Sequence, residues 1–358
     1  MTPLGRLLAR RIAAHGPMPL SEYMAECLLN PGHGYYATRD PLGAAGDFTT
    51  APEISQLFGE MIGLCLAQCW LDQGQPLPFV LAEAGPGRGT LMADILRTIA
   101  RVPGMAAAAR VHLVEASAAL RARQAETLRD HAPEWCKNIA DLPEMPLFFV
   151  ANEFFDALPI RQFERRGAGW AERQVGLAEG RLHPGLGPVT PYPTLAGRLA
   201  DTRPGDVVEV CPALPAIAGE IAGRVARHGG VALVIDYGDQ RSLGDTLQAV
   251  KAHRTVDPFA EPGEADLTAH VDFEALSLAF RDAGSACTGM VPQGVFLERL
   301  GITQRAQTLA ARLTGDALEA HIAAHRRLTH PREMGQLFKV IASFPQGASP
   351  PVGLESAP

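Results

Sequence analysis

One short stretch narrows the possible folds more than any other. Phe79-Val80-Leu81-Ala82 is an unbroken apolar run that passes into Glu83-Ala84-Gly85-Pro86-Gly87-Arg88-Gly89-Thr90. Leu91, Ile95, Leu96 and Ile99 then follow at helical spacing. Such a run reads as a buried parallel strand, and the glycines permit a tight turn and close backbone approach to a ligand before a helix begins. Residues 111–114 read as a second strand ending in Glu115, 117–130 as a helix, and 147–151 as a third strand ending in Asn152-Glu153-Phe154-Phe155-Asp156. Strand and helix thus alternate over 76–156, the pattern of a doubly wound, mostly parallel α/β sheet.

The chemistry is written at the strand ends. The glycine spacing is G-x-G-x-G, not the G-x-G-x-x-G of a dinucleotide pyrophosphate site. Glu83 stands just before the first glycine. A carboxylate there repels phosphate and suits a ligand carrying an ammonium group. S-adenosylmethionine fits, with an amino-acid tail, a sulfonium and no phosphate; the alternative is a glycine-rich turn without a ligand. Glu115 occupies the place from which an acid accepts hydrogen bonds from ribose hydroxyls, or else it is a solvated strand-end acid. Methyl transfer is an in-line displacement that needs positioning and desolvation. An arginine acceptor needs carboxylates to orient its guanidinium. Glu153 and Asp156, beside Asn152, are placed to supply them, with Phe154 and Phe155 excluding water. The alternative is a turn whose acids cap a following helix.

The flanks read differently. Helices are expected at 1–15 and 20–30, and a glycine-rich loop at 43–50 ends in Asp47-Phe48-Thr49-Thr50. Thr50-Ala51-Pro52-Glu53 has capping-box spacing, ahead of a helix carrying Leu57, Phe58, Met61, Ile62, Cys65 and Leu66. Residues 161–200 read as short strands and turns. The α/β rhythm resumes with a strand at 207–210, a helix at 213–228 and a strand at 231–235 ending in Asp236-Tyr237-Gly238. A helix at 272–283, helices at about 303–326 and a last strand at 336–343 complete the chain. The partition is an N-terminal helical segment and lid (1–75), a core (76–160 and 203–240), a β-rich insertion (161–202), a C-terminal substrate-side segment (241–345) and a disordered tail (346–358).

Composition removes several classes. Of 358 residues, 47% are hydrophobic and 20% charged, which excludes intrinsic disorder. A net charge of -7 disfavours a nucleic-acid binder. The six cysteines contain no C-x-x-C, so neither a zinc site nor a disulfide frame is expected. His321, His325 and His330 lack the acid of an H-E-x-x-H site, and no metal is expected. There is no G-x-S-x-G elbow. No apolar run reaches membrane length. Arg6, Arg10 and Arg11 mimic a presequence, but Leu4, Leu7, Leu8 and Ile12 make an ordinary amphipathic helix.

Assembled, these residues resemble the MidA family of class I S-adenosylmethionine-dependent methyltransferases, the family of the mitochondrial complex I assembly arginine methyltransferase. The resemblance runs from about Leu4 to Ala342. It is carried by Gly32-His33-Gly34-Tyr35-Tyr36, Gly46-Asp47-Phe48-Thr49-Thr50-Ala51-Pro52-Glu53, the glycine loop, Val114-Glu115, Asn152 to Pro159, Asp236-Tyr237-Gly238, Pro262 to Phe273 and Met334-Gly335. It implies a Rossmann-like core with family-specific additions and S-adenosylmethionine as cofactor. It also implies a protein acceptor with an exposed arginine, in a respiratory complex I subunit. Asp47 and Thr49 or Thr50 are expected to close the cofactor site. Gln248-Ala249-Val250-Lys251-Ala252-His253 departs from the family pattern. Two alternatives stand beside this reading: a cofactor-binding assembly chaperone without turnover, and a small-molecule methyltransferase. A bacterial chain of this kind is expected in the cytoplasm, a eukaryotic one in the mitochondrial matrix; a homo-oligomer is compatible with either.

Overall fold

The apolar runs at 79–82 and 147–151 become strands Phe79–Ala84 and Leu147–Asn152, every residue of which is buried. Continuous burial explains why these strands read as unbroken hydrophobic runs: a parallel sheet is covered on both faces. The computed structural model describes residues 1–38 and 50–357. The chain divides into two units. The first holds Met1–Phe48, Asp156–Ala213 and Arg241–Asp272; the second holds Thr49–Phe155, Leu214–Gln240 and Phe273–Pro358.

The second unit is built on one sheet. Its order is Ala286–Cys287, Phe338–Phe344, Gly230–Asp239, Leu147–Asn152, Phe79–Ala84, Ala109–Val114 and Glu134–Cys136. The chain runs outward from Phe79–Ala84 through Ala109–Val114 to Glu134–Cys136, then returns to the other side with Leu147–Asn152 and Gly230–Asp239. All four pairings are parallel; Phe338–Phe344 adds antiparallel to Gly230–Asp239. The order therefore reverses between Phe79–Ala84 and Leu147–Asn152. Helices Gln56–Asp72 and Thr90–Ile99 supply Leu57, Phe58, Met61, Ile95 and Leu96 to a core shared with Phe79, Leu81, Phe148, Val150 and Leu233. Each such side chain contributes about 1.5–3 kcal/mol on burial.

The first unit is antiparallel. Arg161–Arg166, Gly169–Ala178 and Val207–Val210 form a sheet joined by Met18–Pro19 and Arg181–Thr190. Gln248–Lys251, Arg254–Val256 and Asp266–Thr268 make a second, three-stranded sheet. Helix Pro3–His15 starts where the Thr2 side chain accepts the Gly5 N–H, and it buries Leu4, Leu8 and Ile12 along one face. These pack with Tyr23, Met24, Tyr35, Val175 and Leu267.

Three expectations need correction. Val207–Val210 does not resume the parallel sheet; it pairs antiparallel with Arg161–Arg166, because a short apolar strand carries no mark of its partner. The stretch 203–240 is accordingly split between the units at Leu214, and residues from Phe273 onward join the central sheet instead of standing apart. The tail is ordered to residue 357. Leu354 is buried in the core, Thr288 bridges Ser356, and Ala357 N–H donates to the Cys287 carbonyl.

Candidate active site

The reversal of strand order brings three strand ends together. Ala84 lies opposite Ala151 on one side and Val114 on the other. Ligands of open α/β sheets bind outside such ends. Gly85, Gly87 and Gly89 adopt φ of 60, 54 and 81°, a region open to glycine without a Cβ penalty. Space adds a second reason at Gly85, where a Cβ would lie 3.2 Å from Phe154 Cδ2. The Gly89 N–H closes the turn on the Pro86 carbonyl at 2.7 Å, and helix Thr90–Ile99 begins there.

Glu83, inside the first strand, is 3% exposed. Burial pushes its carboxyl up to about 8, against the opposing effect of the Met92 main-chain N–H. Its Oε2 has no hydrogen-bond partner among the described residues, and neither has Oδ1 of Asn152 at the neighbouring strand end. Glu115, also buried, is held. Its Oε1 accepts the Ser117 N–H at 2.7 Å and its Oε2 faces the Gln124 amide at 3.3 Å. Burial raises its pKa, and those two donors work the other way. Arg121 donates through Nε (2.8 Å) and Nη2 to the Glu115 carbonyl. Beside it opens a cavity of about 470 Å³ lined by Ala116, Ala118, Arg121, Lys137 and Asn138.

The third strand end is strained. Glu153 has φ of 52°, uncommon for a residue with a side chain and typical of sites whose surroundings over-determine the backbone. Asp236 does that work: fully buried, it accepts the N–H of Phe154 (3.2 Å) and Phe155 (3.0 Å) on Oδ2 and of Tyr237 (3.0 Å) on Oδ1. The Glu153 N–H donates to the Ile235 carbonyl at 3.0 Å. Its Oε1 accepts the Ala51 N–H and the Asn152 amide, each at 3.1 Å.

The capping box does not form. Thr50 precedes helix Ala51–Ile54 without a side-chain cap bond. Glu53 reaches instead for the Thr90 hydroxyl at 2.5 Å, and Ser55, extended, caps the next helix. Segment Thr50–Ile54 is thereby tied both to the glycine loop and to the Glu153 turn. Thr50 itself is half-buried. Asp47 and Thr49 lie outside the described residues.

The structure thus gathers Glu83, Gly85, Gly87, Gly89, Glu115, Asn152 and Glu153 at adjoining strand ends. Asp156 belongs to the first unit, where its carbonyl accepts the Ala269 N–H at 3.0 Å. Sequence reasoning gave no role to Gln124 or Asp236. The signals at Asp236 were an acid closing an apolar strand and its place in the Asp236-Tyr237-Gly238 motif; Gln124 sits in a polar helix and left none. The histidines serve local bonds, His321 to the Ala306 carbonyl and His325 to Thr303.

A family model of S-adenosyl-L-methionine-dependent methyltransferases matches residues 61–291. The chain belongs to that family. It is similar to the mitochondrial protein arginine methyltransferase NDUFAF7 of Xenopus tropicalis, at 36% identity over 94% of this chain and 84% of that protein. The human protein of the same name is 35% identical over 96% of this chain and 84% of its own length. Among solved structures, a Burkholderia thailandensis protein bound to S-adenosyl-homocysteine is similar, with a TM-score of 0.83 and 33% identity over 98% of this chain and 93% of that one. The site of this methyltransferase fits the family's cofactor. A buried acid with an unsatisfied oxygen suits an ammonium group, and a pre-oriented carboxylate suits vicinal hydroxyls. Among the described residues no helix is long and apolar enough to cross a membrane.

Proposed function

We propose that this methyltransferase moves a methyl group from S-adenosylmethionine to an arginine side chain of a protein. The observation that carries the reading is Glu153, a carboxylate fixed in a strained turn beside the cofactor loop, in a chain whose relatives are named protein arginine methyltransferases. When bound, the cofactor supplies an electrophilic methyl whose leaving group is a neutral thioether. Gly85, Gly87 and Gly89 shape its cradle, Glu83 meets its ammonium and Glu115 its ribose. Thr50 closes the site. Glu153, oriented by Asn152, binds the acceptor guanidinium, localises its charge away from the attacking nitrogen and takes the proton released. Phe154 covers the loop and keeps water out. The acceptor role is proposed for Glu153 without Asp156.

The acceptor we assign is a subunit of respiratory complex I, with methylation supporting assembly in the bacterial cytoplasm or mitochondrial matrix. The purified protein, given isotopically labelled S-adenosylmethionine and extract from a strain lacking it, tests this by mass spectrometry. Label on an arginine of a complex I subunit is the expected result. Label on another protein arginine would keep the chemistry and remove the complex I assignment. Label confined to small molecules, or none, would overturn the proposal.

A further inference from the structure

The Gln124 side chain, wholly buried in helix Ala118–Thr127, touches two parts of the cofactor site and Trp135 at once. Its Oε1 accepts the Trp135 indole N–H at 2.8 Å, and its Nε2 donates to the Gly87 carbonyl at 2.8 Å and to Glu115 Oε2 at 3.3 Å. The direction is fixed by chemistry. An indole N–H only donates, so the amide oxygen must face Trp135 and the NH₂ must face the loop and the acid. Trp135 is itself placed by strand pairing, opposite Leu113 in the strand that ends before Glu115. The same helix crowds the loop: a Cβ on Gly89 would lie 3.4 Å from Leu128 Cδ1 and 3.7 Å from Gln124 Cα.

We propose that Gln124, locked by Trp135, is a positioning residue that couples the glycine loop to the ribose carboxylate so that both are set before cofactor arrives. The two bonds do different things. The bond to Gly87 fixes one peptide of the loop; because that peptide is planar, the Arg88 N–H is fixed on the opposite side. The bond to Glu115 occupies one lone pair of Oε2 and, with Ser117 on Oε1, sets the plane of the carboxylate. It also favours the ionised form, the form that accepts two hydroxyls. Gln124 has no exposed surface and acts through Gly87 and Glu115. This inference rests on the cofactor site assigned above.

Titration calorimetry with S-adenosylhomocysteine tests it. Gln124→Met keeps the volume and loses both donors; affinity is expected to fall about tenfold to a hundredfold, the loss of a bond to a charged group. Gln124→Glu keeps an acceptor for Trp135 but sets a second carboxylate beside Glu115. The pair then shares a proton at low pH and repels at high pH. Its deficit relative to wild type is therefore expected to grow at least severalfold from pH 5.5 to pH 8, which a purely structural role would not produce. Trp135→Phe, which frees the amide to flip, is expected to weaken binding less than Gln124→Met and to add nothing on top of it. Binding by Gln124→Met within twofold of wild type, or a Gln124→Glu deficit constant with pH, would overturn the inference and leave the cofactor site standing. A wild-type protein that does not bind S-adenosylhomocysteine would remove that site and the inference with it.

Discussion

The ends of strands Phe79–Ala84 and Ala109–Val114 lie side by side, and each presents a buried glutamate, yet the two acids are prepared in opposite ways. Glu115 has a donor on each oxygen, from Ser117 and Gln124. Glu83 has the Met92 N–H and an oxygen without a partner among the described residues, and its carboxyl titrates near 8. One carboxylate is pre-aimed, its two donors favouring the ionised form against the effect of burial. The other stays protonated at neutral pH until a cation arrives to compensate it. The same residue type, one strand apart, is thus made into two different receptors by burial and hydrogen bonding together.

The largest effect expected from breaking this contrast is at Glu115. Glu115→Ala removes the ribose acceptor and leaves the Ser117 N–H and Gln124 amide facing a void; affinity for S-adenosylhomocysteine should fall a hundredfold or more by calorimetry. Next comes the turn beside both acids. Asp236→Ala orphans three N–H groups, two of them in buried bonds, and urea unfolding should show a loss of about 3 kcal/mol or more. Activity should fall further than stability explains, because the Glu153 turn loses its clamp.

Glu83→Gln separates the two acids through pH. The folded pKa is raised, so the folded form retains a proton that the unfolded chain gives up above about 4.5. Stability without ligand is therefore lost as pH rises from about 5 towards 8, and the glutamine variant should escape that loss. Thermal melts should show the variant gaining on wild type as pH rises, and a constant difference would remove the burial argument. The smallest effect belongs to the segment over the site. Thr90→Ala should cost about 0.5–1.5 kcal/mol by removing the bond to Glu53. Thr50→Ala should cost less, since Thr50 makes no cap bond.

What could be read in the sequence follows from the same physics. Buried parallel strands demand continuous apolar runs, so Phe79–Ala84 and Leu147–Asn152 stood out, and with them Glu83, the glycines and Glu115. Val207–Val210 was misassigned because four residues with two buried valines do not reveal whether the partner runs parallel or antiparallel. The capping box failed because the sequence shows Glu53 in register with Thr50 but not the Thr90 hydroxyl that competes for it. The tail looked frayed from its Pro and Gly content, yet buried Leu354 and Pro351 anchor it to the core. Gln124 stayed hidden because a polar helix gives no periodic sign that one of its glutamines faces inward.

The contrast between the two acids is tested most directly by proton release on binding. Calorimetry of S-adenosylhomocysteine at pH 7, in buffers of different ionisation heat, should show a proton leaving the wild-type protein as Glu83 ionises beside the incoming ammonium. That release should vanish at pH 9 and in Glu83→Gln. Binding without proton release at pH 7, or release undiminished in Glu83→Gln, would contradict the account.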